Sequence, residues 1–403
     1  MSVSPARRAA YEVLLRVFEQ DAYADRVFRT AARELAERER AFAQRLAYGA
    51  VQRVRTLDYA IEQLGRRRVR KLDPPVRAAL RLGAYQLGYT DTAPHAAVNE
   101  SVELVRIARL ERAVPFTNAV LRRLNEGMRG LLDALPDGAL KESYPDWIAE
   151  TFERDLGGDA ALALMRTMNE PLETVVRLVR GEPPSGAEAT DIPGAYRVER
   201  VDELGVAEGR IWPQSRGSQL VGMVVDSQAG ERVLDLCAAP GGKTAQLHGA
   251  VTAVELDPSR ASELRANLTT LGRSDVVVVE ADGTKLPPEL RGYDRVLVDA
   301  PCSGLGVLAQ RPDLRWRARP LPELQLALLR TAAERARPGA TIVYSVCTLN
   351  ADEGEAVVNA SGLAVVPLGD DWPRYAHPRR PEFLLTLPHV HGTSGFFISR
   401  LRT

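Results

Sequence analysis

The spacing of apolar residues along the chain changes near residue 206 and separates two kinds of region. Before it, apolar residues recur three or four positions apart, as in the series Ala50, Val54, Leu57, Ile61 and Leu64. That spacing places them on one face of a single helix. After it, short apolar runs such as RVLDL, VTAVEL, VVVVE, RVLVDA and TIVYSV alternate with helical stretches. This alternation predicts βαβ units, which form a parallel sheet with helices on both faces.

These patterns predict a multidomain protein with three parts. Residues 1–127 are expected to form a compact all-helical domain, with the basic stretch 66–71 at a helix end or turn. Residues 128–205 are expected to form a small α+β connector that contains two helices and two extended segments. Residues 206–403 are expected to form an α/β Rossmann-like domain, whose ligands bind at the carboxyl ends of the strands.

The composition, 45% hydrophobic and 26% charged, is that of an ordinary globular protein. The sequence contains no apolar run of about 18 residues, the length that a membrane helix needs. Its first residues, MSVSPARRAAYEV, are charged too early for a signal-peptide core. We therefore expect a cytoplasmic protein that does not bind membranes.

The three cysteines, Cys237, Cys302 and Cys347, all lie in the last 170 residues or so. They cannot form a disulfide framework, and they lack the C-x-x-C spacing of a zinc site. The five histidines show no metal-binding pattern either, so no metal is expected. Each cysteine instead follows an apolar run, which places all three at the carboxyl edge of the predicted sheet.

The charge is unevenly distributed although the net charge is zero. Residues 1–125 hold 23 basic and 14 acidic side chains, a surplus that the remainder of the chain balances. A basic segment of this kind indicates a polyanionic partner such as RNA. The alternative is a solvated helical surface, and charge alone does not decide between the two.

The first strand of the C-terminal region leads into the turn CAAPGGK. Two glycines and small residues let a ligand approach the backbone closely where a helix is expected to begin. The turn matches neither the dinucleotide fingerprint nor the P-loop, which disfavours a hydride-transferring Rossmann enzyme. The residues of this candidate cofactor site are Cys237, Ala238, Ala239, Pro240, Gly241, Gly242 and Lys243.

Acidic residues end the next strands. Glu255, 18 residues after Cys237 at the start of the turn, is placed to hydrogen-bond a ribose hydroxyl pair. For Asp257, followed by Pro258, the favoured interpretation is an acid at a helix N-terminus. Asp282 lies on the same edge, where it can bind an adenine amino group.

The motifs CAAPGGKT, DAPCSG, RPDLRW and YSVCTLNADEGE occur here in an order and spacing that resemble the RNA cytosine-C5 methyltransferases of the Nol1/Nop2/Sun family. The segments RAFAQRLAYGAVQRVRTLDYAI, PHAAVNESVELVR and FTNAVLRRL resemble the NusB-like RNA-binding domain that one ribosomal branch of the family carries. The resemblance covers nearly the whole chain. It implies S-adenosylmethionine as the cofactor and a cytidine of 16S rRNA as the substrate.

Two cysteines at one edge also suit this chemistry on general grounds. Cytosine C5 is a poor nucleophile until a thiolate adds at C6, and the thiol must later be eliminated. One cysteine can attack while the other assists release, and Asp299 can stabilise the base edge. The resemblance assigns attack to Cys347 and release to Cys302. Lys243 has two candidate contacts, the cofactor carboxylate and the target base.

Other functions remain open from the sequence. The same chemistry on tRNA or on another rRNA is the close alternative. A non-catalytic RNA-binding factor in ribosome assembly is the alternative of a different class, although the glycine turn and Cys347 are both present. A monomer is expected.

Overall fold

The structure, a computed structural model, describes residues 3–403, which form two compact units. The first unit spans the chain up to Glu170 together with Leu308–Arg317. It is helical, as the sequence predicts. Its helices are α1 (Pro5–Glu19), α2 (Ala24–Ala31), α3 (Glu37–Gln52), α4 (Val54–Gly65), α5 (Pro74–Tyr89), α6 (Pro94–Ile107), α7 (Val114–Asp133), α8 (Ala139–Glu142), α9 (Asp146–Leu156), α10 (Gly158–Thr167) and α14 (Leu314–Arg317).

One predicted helix is two helices. The apolar series from Ala50 to Leu64 crosses a break at Arg53, which separates α3 from α4. Ala50, Leu57 and Ile61 are nonetheless buried in one apolar cluster, and Val54 is buried as well. The spacing of the apolar residues continues across the break because both helices direct their apolar faces toward the core. The basic stretch 66–71 follows the end of α4 and includes a single 3-10 turn, as predicted.

The segment Leu308–Arg317, which we call the strap, belongs to the helical unit although its neighbours in sequence do not. The buried Arg315 guanidinium donates to the carbonyl of Met168 at 3.0 Å and lies within 3.4 Å of those of Gln52 and Glu142. It also stacks 3.8 Å above the ring of Tyr144. Three helix C-termini, which end in unsatisfied carbonyls, thereby share one cation.

The second unit contains Pro171–Val307 and Ala318–Thr403. Its helices are α11 (Glu203–Ala207), α12 (Arg216–Val225), α13 (Pro258–Thr270), α15 (Pro322–Arg335), α16 (Glu355–Ser361) and α17 (Pro388–His391). Its strands are β1 (Val175–Leu178), β2 (Glu188–Ala189), β3 (Ala195–Arg197), β4 (Ile211–Pro213), β5 (Arg232–Asp235), β6 (Ala250–Glu255), β7 (Val277–Glu280), β8 (Tyr293–Asp299), β9 (Ala336–Val346), β10 (Ala364–Val366), β11 (Leu384–Thr386) and β12 (Phe396–Arg402).

The large sheet is mixed, with the order β10-β12-β9-β8-β5-β6-β7 and β11 paired to β12. The five strands from β9 to β7 are parallel, as the alternating pattern predicts. The expectation of a parallel sheet is wrong for the last three strands, because β12 runs antiparallel to β9, β10 and β11. After β9 the chain no longer forms the long helical crossover that a parallel pair requires.

Both faces of the central strands are buried. Val296, Leu297 and Val298 are consecutive in β8 and all have no exposed surface. Successive side chains of a strand point to opposite faces, so both faces of β8 are covered along these three residues. Leu297 shares its cluster with apolar residues of α12 and α13.

The two compact units do not follow the predicted boundaries at residues 127 and 205. The predicted connector is shared, since α8, α9 and α10 belong to the helical unit and β1 to β4 form a separate antiparallel sheet in the second unit. Within residues 3–403, no helix combines the length and apolar character needed to cross a membrane.

Candidate active site

Three neighbouring strands bring the three cysteines to one edge of the large sheet. Cys237 follows β5, Cys302 follows β8 and Cys347 follows β9. These strands are adjacent and parallel, so their carboxyl ends meet. All three thiols are free and partly exposed. The sequence prediction of a shared edge is confirmed.

The Sγ atoms of Cys302 and Cys347 lie 3.3 Å apart. Their hydrogen bond lowers the pKa of Cys347, and the ammonium of Lys243 acts in the same direction. The same bond raises the pKa of Cys302 well above its ordinary value, and burial adds to that effect. Cys347 is therefore the more acidic of the two thiols and the one that more readily forms the thiolate. Only a thiolate is a strong nucleophile.

Lys243 and Asp299 form an ion pair beside these thiols. The Lys243 ammonium lies 2.8 Å from Oδ2 of Asp299 and 4.9 Å from the centre of the Phe396 ring. The Ser345 hydroxyl donates to the other carboxylate oxygen at 2.7 Å. Both oxygens of Asp299 are thus bound and the carboxylate is fixed in orientation. The two predicted partners of Lys243, the cofactor carboxylate and the target base, are not part of the protein. Within the protein, the Lys243 ammonium forms an ion pair with Asp299.

The turn 237–243 is tightly packed. Gly241 has φ +104°, which L side chains rarely adopt, and a Cβ there would lie 2.9 Å from Leu264. The helix expected after this turn is reduced to a 3-10 turn, Thr244–Gln246. The backbone N–H groups of Ala239 and Gly242 have no acceptor among residues 3–403, and are free to bind a ligand.

An acid that the sequence reasoning missed lies under the turn. Asp235, the last residue of β5, is fully buried and accepts a hydrogen bond from the Thr244 hydroxyl at 2.7 Å. Burial raises its pKa to about 7. The signal was present in the sequence, because Asp235 ends an apolar strand as Glu255 and Asp299 do.

The acids predicted at the strand ends lie where they were expected. Glu255 is buried, and its Oε1 accepts the N–H of Asp257 at 3.0 Å while Oε2 lies 3.7 Å from Arg260. Oδ1 of Asp282 accepts from the Thr284 hydroxyl and N–H, which lowers the pKa of Asp282. Asp257 caps α13 by accepting from Arg260 N–H at 2.9 Å, as its favoured interpretation predicts.

A second missed residue is Glu353, which is completely buried. Its Oε1 accepts from the backbone N–H groups of Ser303 and Leu321, each at 3.0 Å, and from the Gln325 amide at 2.9 Å. Its Oε2 accepts from the Ser303 hydroxyl, which also bonds Thr348 at 2.8 Å. Ser303 and Thr348 directly follow the two cysteines. Glu353 therefore fixes the two loops that carry the thiols.

The thiol pair and several carboxylates that can accept hydrogen bonds thus lie at the same edge of the large sheet. The thiolate can attack an electrophilic carbon, and the adjacent thiol can give or take a proton. The acids and free N–H groups suit a ligand that carries hydroxyl, amino and carboxylate groups. These donor and acceptor types fit S-adenosylmethionine.

Comparisons with known proteins identify the family of the chain. Residues 222–402 match the family described as 16S rRNA methyltransferase RsmB/F, and residues 4–126 match the NusB family. A probable ribosomal RNA small subunit methyltransferase B from Synechocystis is 34% identical over 98% of this chain and 99% of its own length. A protein of the same name from Bacillus subtilis is 30% identical over 100% of this chain and 99% of its own length.

Solved structures support the fold. The crystal structure of PH0851 covers 100% of both chains with a TM-score of 0.83 and 23% identity. That of NSun6 from Pyrococcus horikoshii with SFG covers 65% of this chain and 98% of its own, with a TM-score of 0.58 and 20% identity. Together with the family matches, these folds confirm a helical NusB-like region and a Rossmann-like catalytic region, and the family match supports S-adenosylmethionine as the cofactor. The chain belongs to the RsmB/F family of rRNA methyltransferases.

Proposed function

We propose that this protein transfers a methyl group from S-adenosylmethionine to C5 of a cytidine in 16S rRNA, through a covalent bond between Cys347 and C6. The observation that supports this most strongly is the pair of thiols 3.3 Å apart in which Cys347 is the more acidic. The names of the relatives support rRNA of the small subunit as the substrate. A simple methyl transfer to oxygen or nitrogen needs no such pair.

Attack comes first. The target cytosine leaves its stack so that C6 can approach Sγ of Cys347. The thiolate forms the C6–S bond, and the electrons of the C5–C6 double bond shift toward C4 and N3, which makes C5 enamine-like and nucleophilic. Asp299, held by Lys243 and Ser345, accepts a hydrogen bond from the cytosine amino group and orients the base. When bound, S-adenosylmethionine would supply an electrophilic methyl group to the electron-rich C5 and would leave as the neutral thioether S-adenosylhomocysteine.

Release uses Cys302. Once Cys347 is bonded to C6, its sulfur is neutral and a weak acceptor, which removes the largest cause of the raised pKa of Cys302. Cys302 then loses its proton to solvent and takes the proton from C5. The C6–S bond breaks, the C5–C6 double bond re-forms, and Cys347 leaves as a thiolate. The new Cys302 S–H donates to that thiolate, which restores the starting pair.

The test is nucleoside analysis of RNA after incubation with the protein and S-adenosylmethionine. We expect 5-methylcytidine in 16S rRNA and none in tRNA. Methylation of tRNA or of another rRNA instead would assign the same chemistry to the alternative substrate. A different methylated nucleoside would contradict the C5 assignment, and no methylation of any RNA would favour the non-catalytic assembly factor.

Glu255 is expected to contribute to the binding of S-adenosylmethionine. Since Glu255 ends β6 with Oε2 free of a hydrogen bond, it is assigned to the ribose hydroxyls. Glu255→Ala should weaken S-adenosylmethionine binding by about 1–3 kcal/mol, the scale of a charge-assisted hydrogen bond and its unpaired partner. Isothermal titration calorimetry measures this directly.

Asp257→Ala is the matched control. It removes a carboxylate two residues away that caps α13, so it should lower stability and leave cofactor affinity nearly unchanged. Equal affinities of the Glu255→Ala variant and the unmodified protein would remove Glu255 from the cofactor site.

A further inference from the structure

A cleft in the helical unit is separate from the cysteines and has no role in the chemistry above. Its volume is about 630 Å³, within the range of about 300–1,000 Å³ that is usual for small-ligand sites. Its lining includes the apolar residues Leu72, Val76, Leu110 and Phe116, whose side chains are buried or partly buried, and we call these four residues the floor of the cleft. The floor is thus apolar and includes one aromatic ring.

The rim of the cleft is basic. Arg67, Lys71, Arg109 and Arg112 line it, against two acids, Asp73 and Glu111. All six side chains are exposed. Within residues 3–403, none of the four cations forms a side-chain hydrogen bond or ion pair, whereas Arg7 and Arg81 of the same unit are both paired with acids. An unpaired basic rim gains from an anion that enters the cleft.

Two arginines beside the cleft adopt a backbone conformation that favours glycine. Arg109, on the rim, has φ +59°, and Arg66, which ends α4 outside the cleft, has φ +54°. A left-handed conformation costs an L residue about 1–2 kcal/mol relative to the right-handed one. Replacing either arginine by glycine therefore removes a charged side chain while suiting the backbone. This gives a matched pair of variants that should both fold.

An apolar floor with an aromatic ring under a rim of cations is the chemistry that receives an unpaired nucleotide. The base stacks on or beside the ring, and the flanking phosphates bind the cations. A peptide or lipid of acidic character would use the rim without needing a planar aromatic contact. We propose that this cleft binds one unpaired nucleotide of the RNA substrate, away from the nucleotide that is methylated. This inference rests on the proposed function for its RNA partner.

Photo-crosslinking of the full-length protein tests the cleft. Single-stranded RNA containing 4-thiouridine is irradiated with the protein, and cross-linked tryptic peptides are identified by mass spectrometry. We expect cross-links in AVPFTNAVLR (residues 113–122), which contains Phe116. Arg109→Gly should reduce their yield about tenfold, the loss of one charge-assisted contact. Arg66→Gly, with the same loss of charge outside the cleft, should change it about twofold or less.

Duplex RNA of the same sequence separates base binding from phosphate binding. Its bases are paired, so the cleft should not cross-link to it. Equal cross-linking of duplex and single strand, equal effects of the two glycine variants, or no cross-link in residues 113–122 would each overturn the proposal. If 5-methylcytidine still forms in that case, only the cleft assignment fails. If the cleft cross-links but no methylation occurs, the proposed function fails instead.

Discussion

Cys347→Ala is expected to abolish both methyl transfer and the covalent protein–RNA species, whereas Cys302→Ala should accumulate that species. The first variant lacks the thiolate that attacks C6. The second retains attack and methyl transfer but lacks the group that takes the C5 proton, so the C6–S bond persists. Denaturing gel electrophoresis with labelled RNA separates the two outcomes. Adducts in Cys347→Ala but none in Cys302→Ala would reverse the two roles.

Cys302→Ser is the informative control for this pair. A serine hydroxyl can still donate a hydrogen bond to Cys347, but it does not ionise near neutral pH. Cys302→Ser should therefore accumulate the adduct, as Cys302→Ala does. The hydrogen bond from Cys302 lowers the pKa of Cys347, so losing it raises the pH at which the thiolate forms. Adduct formation should begin at higher pH in Cys302→Ala than in Cys302→Ser. Identical pH profiles would show that the hydrogen bond does not tune the nucleophile.

Arg315→Met is expected to destabilise the helical unit by about 3–5 kcal/mol, because several buried carbonyls lose their donor and each unsatisfied polar group costs about 1–3 kcal/mol. Methionine fills a similar length but leaves the carbonyls of Gln52, Glu142 and Met168 without their donor. It also loses the cation that stacks on Tyr144. Chemical unfolding followed by circular dichroism should show this loss in the helical transition.

Two further variants make the strap prediction specific. Arg315→Lys keeps the charge but has no planar fork to reach several carbonyls, so an intermediate loss of about 1–3 kcal/mol is expected. Arg319→Met removes a nearby exposed arginine and should change the free energy of unfolding by less than about 0.5 kcal/mol. A similar effect of Arg315→Met and Arg319→Met would mean that the strap is not anchored by Arg315.

Much of the fold follows from local periodicity. The parallel strands β5 to β9 and the cysteines at their ends were predicted because short apolar runs bounded by turns carry a strong local signal. The break at Arg53 was not predicted, because two helices that pack on one core can share an unbroken apolar period. The antiparallel strands β10 to β12 depend on pairing partners far apart in sequence, which a local pattern does not specify.

The sequence predicted which side chains form the candidate site, but it did not predict most of the contacts between them. Cys347, Cys302 and the turn 237–243 were found through their position and their resemblance to a family. The Lys243–Asp299 ion pair and the buried Glu353 depend on loops that meet only in the folded chain. The contacts of the strap could not be predicted either, because nothing in the motif RPDLRW indicates that Arg315 is buried among helix ends.

The proposed covalent bond between Cys347 and C6 of the target cytosine is tested most directly by trapping it. RNA that carries 5-fluorocytidine at the target position has no C5 proton to lose, so elimination is blocked after methyl transfer. Incubation with the unmodified protein and S-adenosylmethionine, followed by nuclease and protease digestion and mass spectrometry, identifies the residue that carries the nucleotide. We expect a methylated fluorocytidine on Cys347. The same adduct on Cys302, or methyl transfer to the RNA without any adduct, would contradict it.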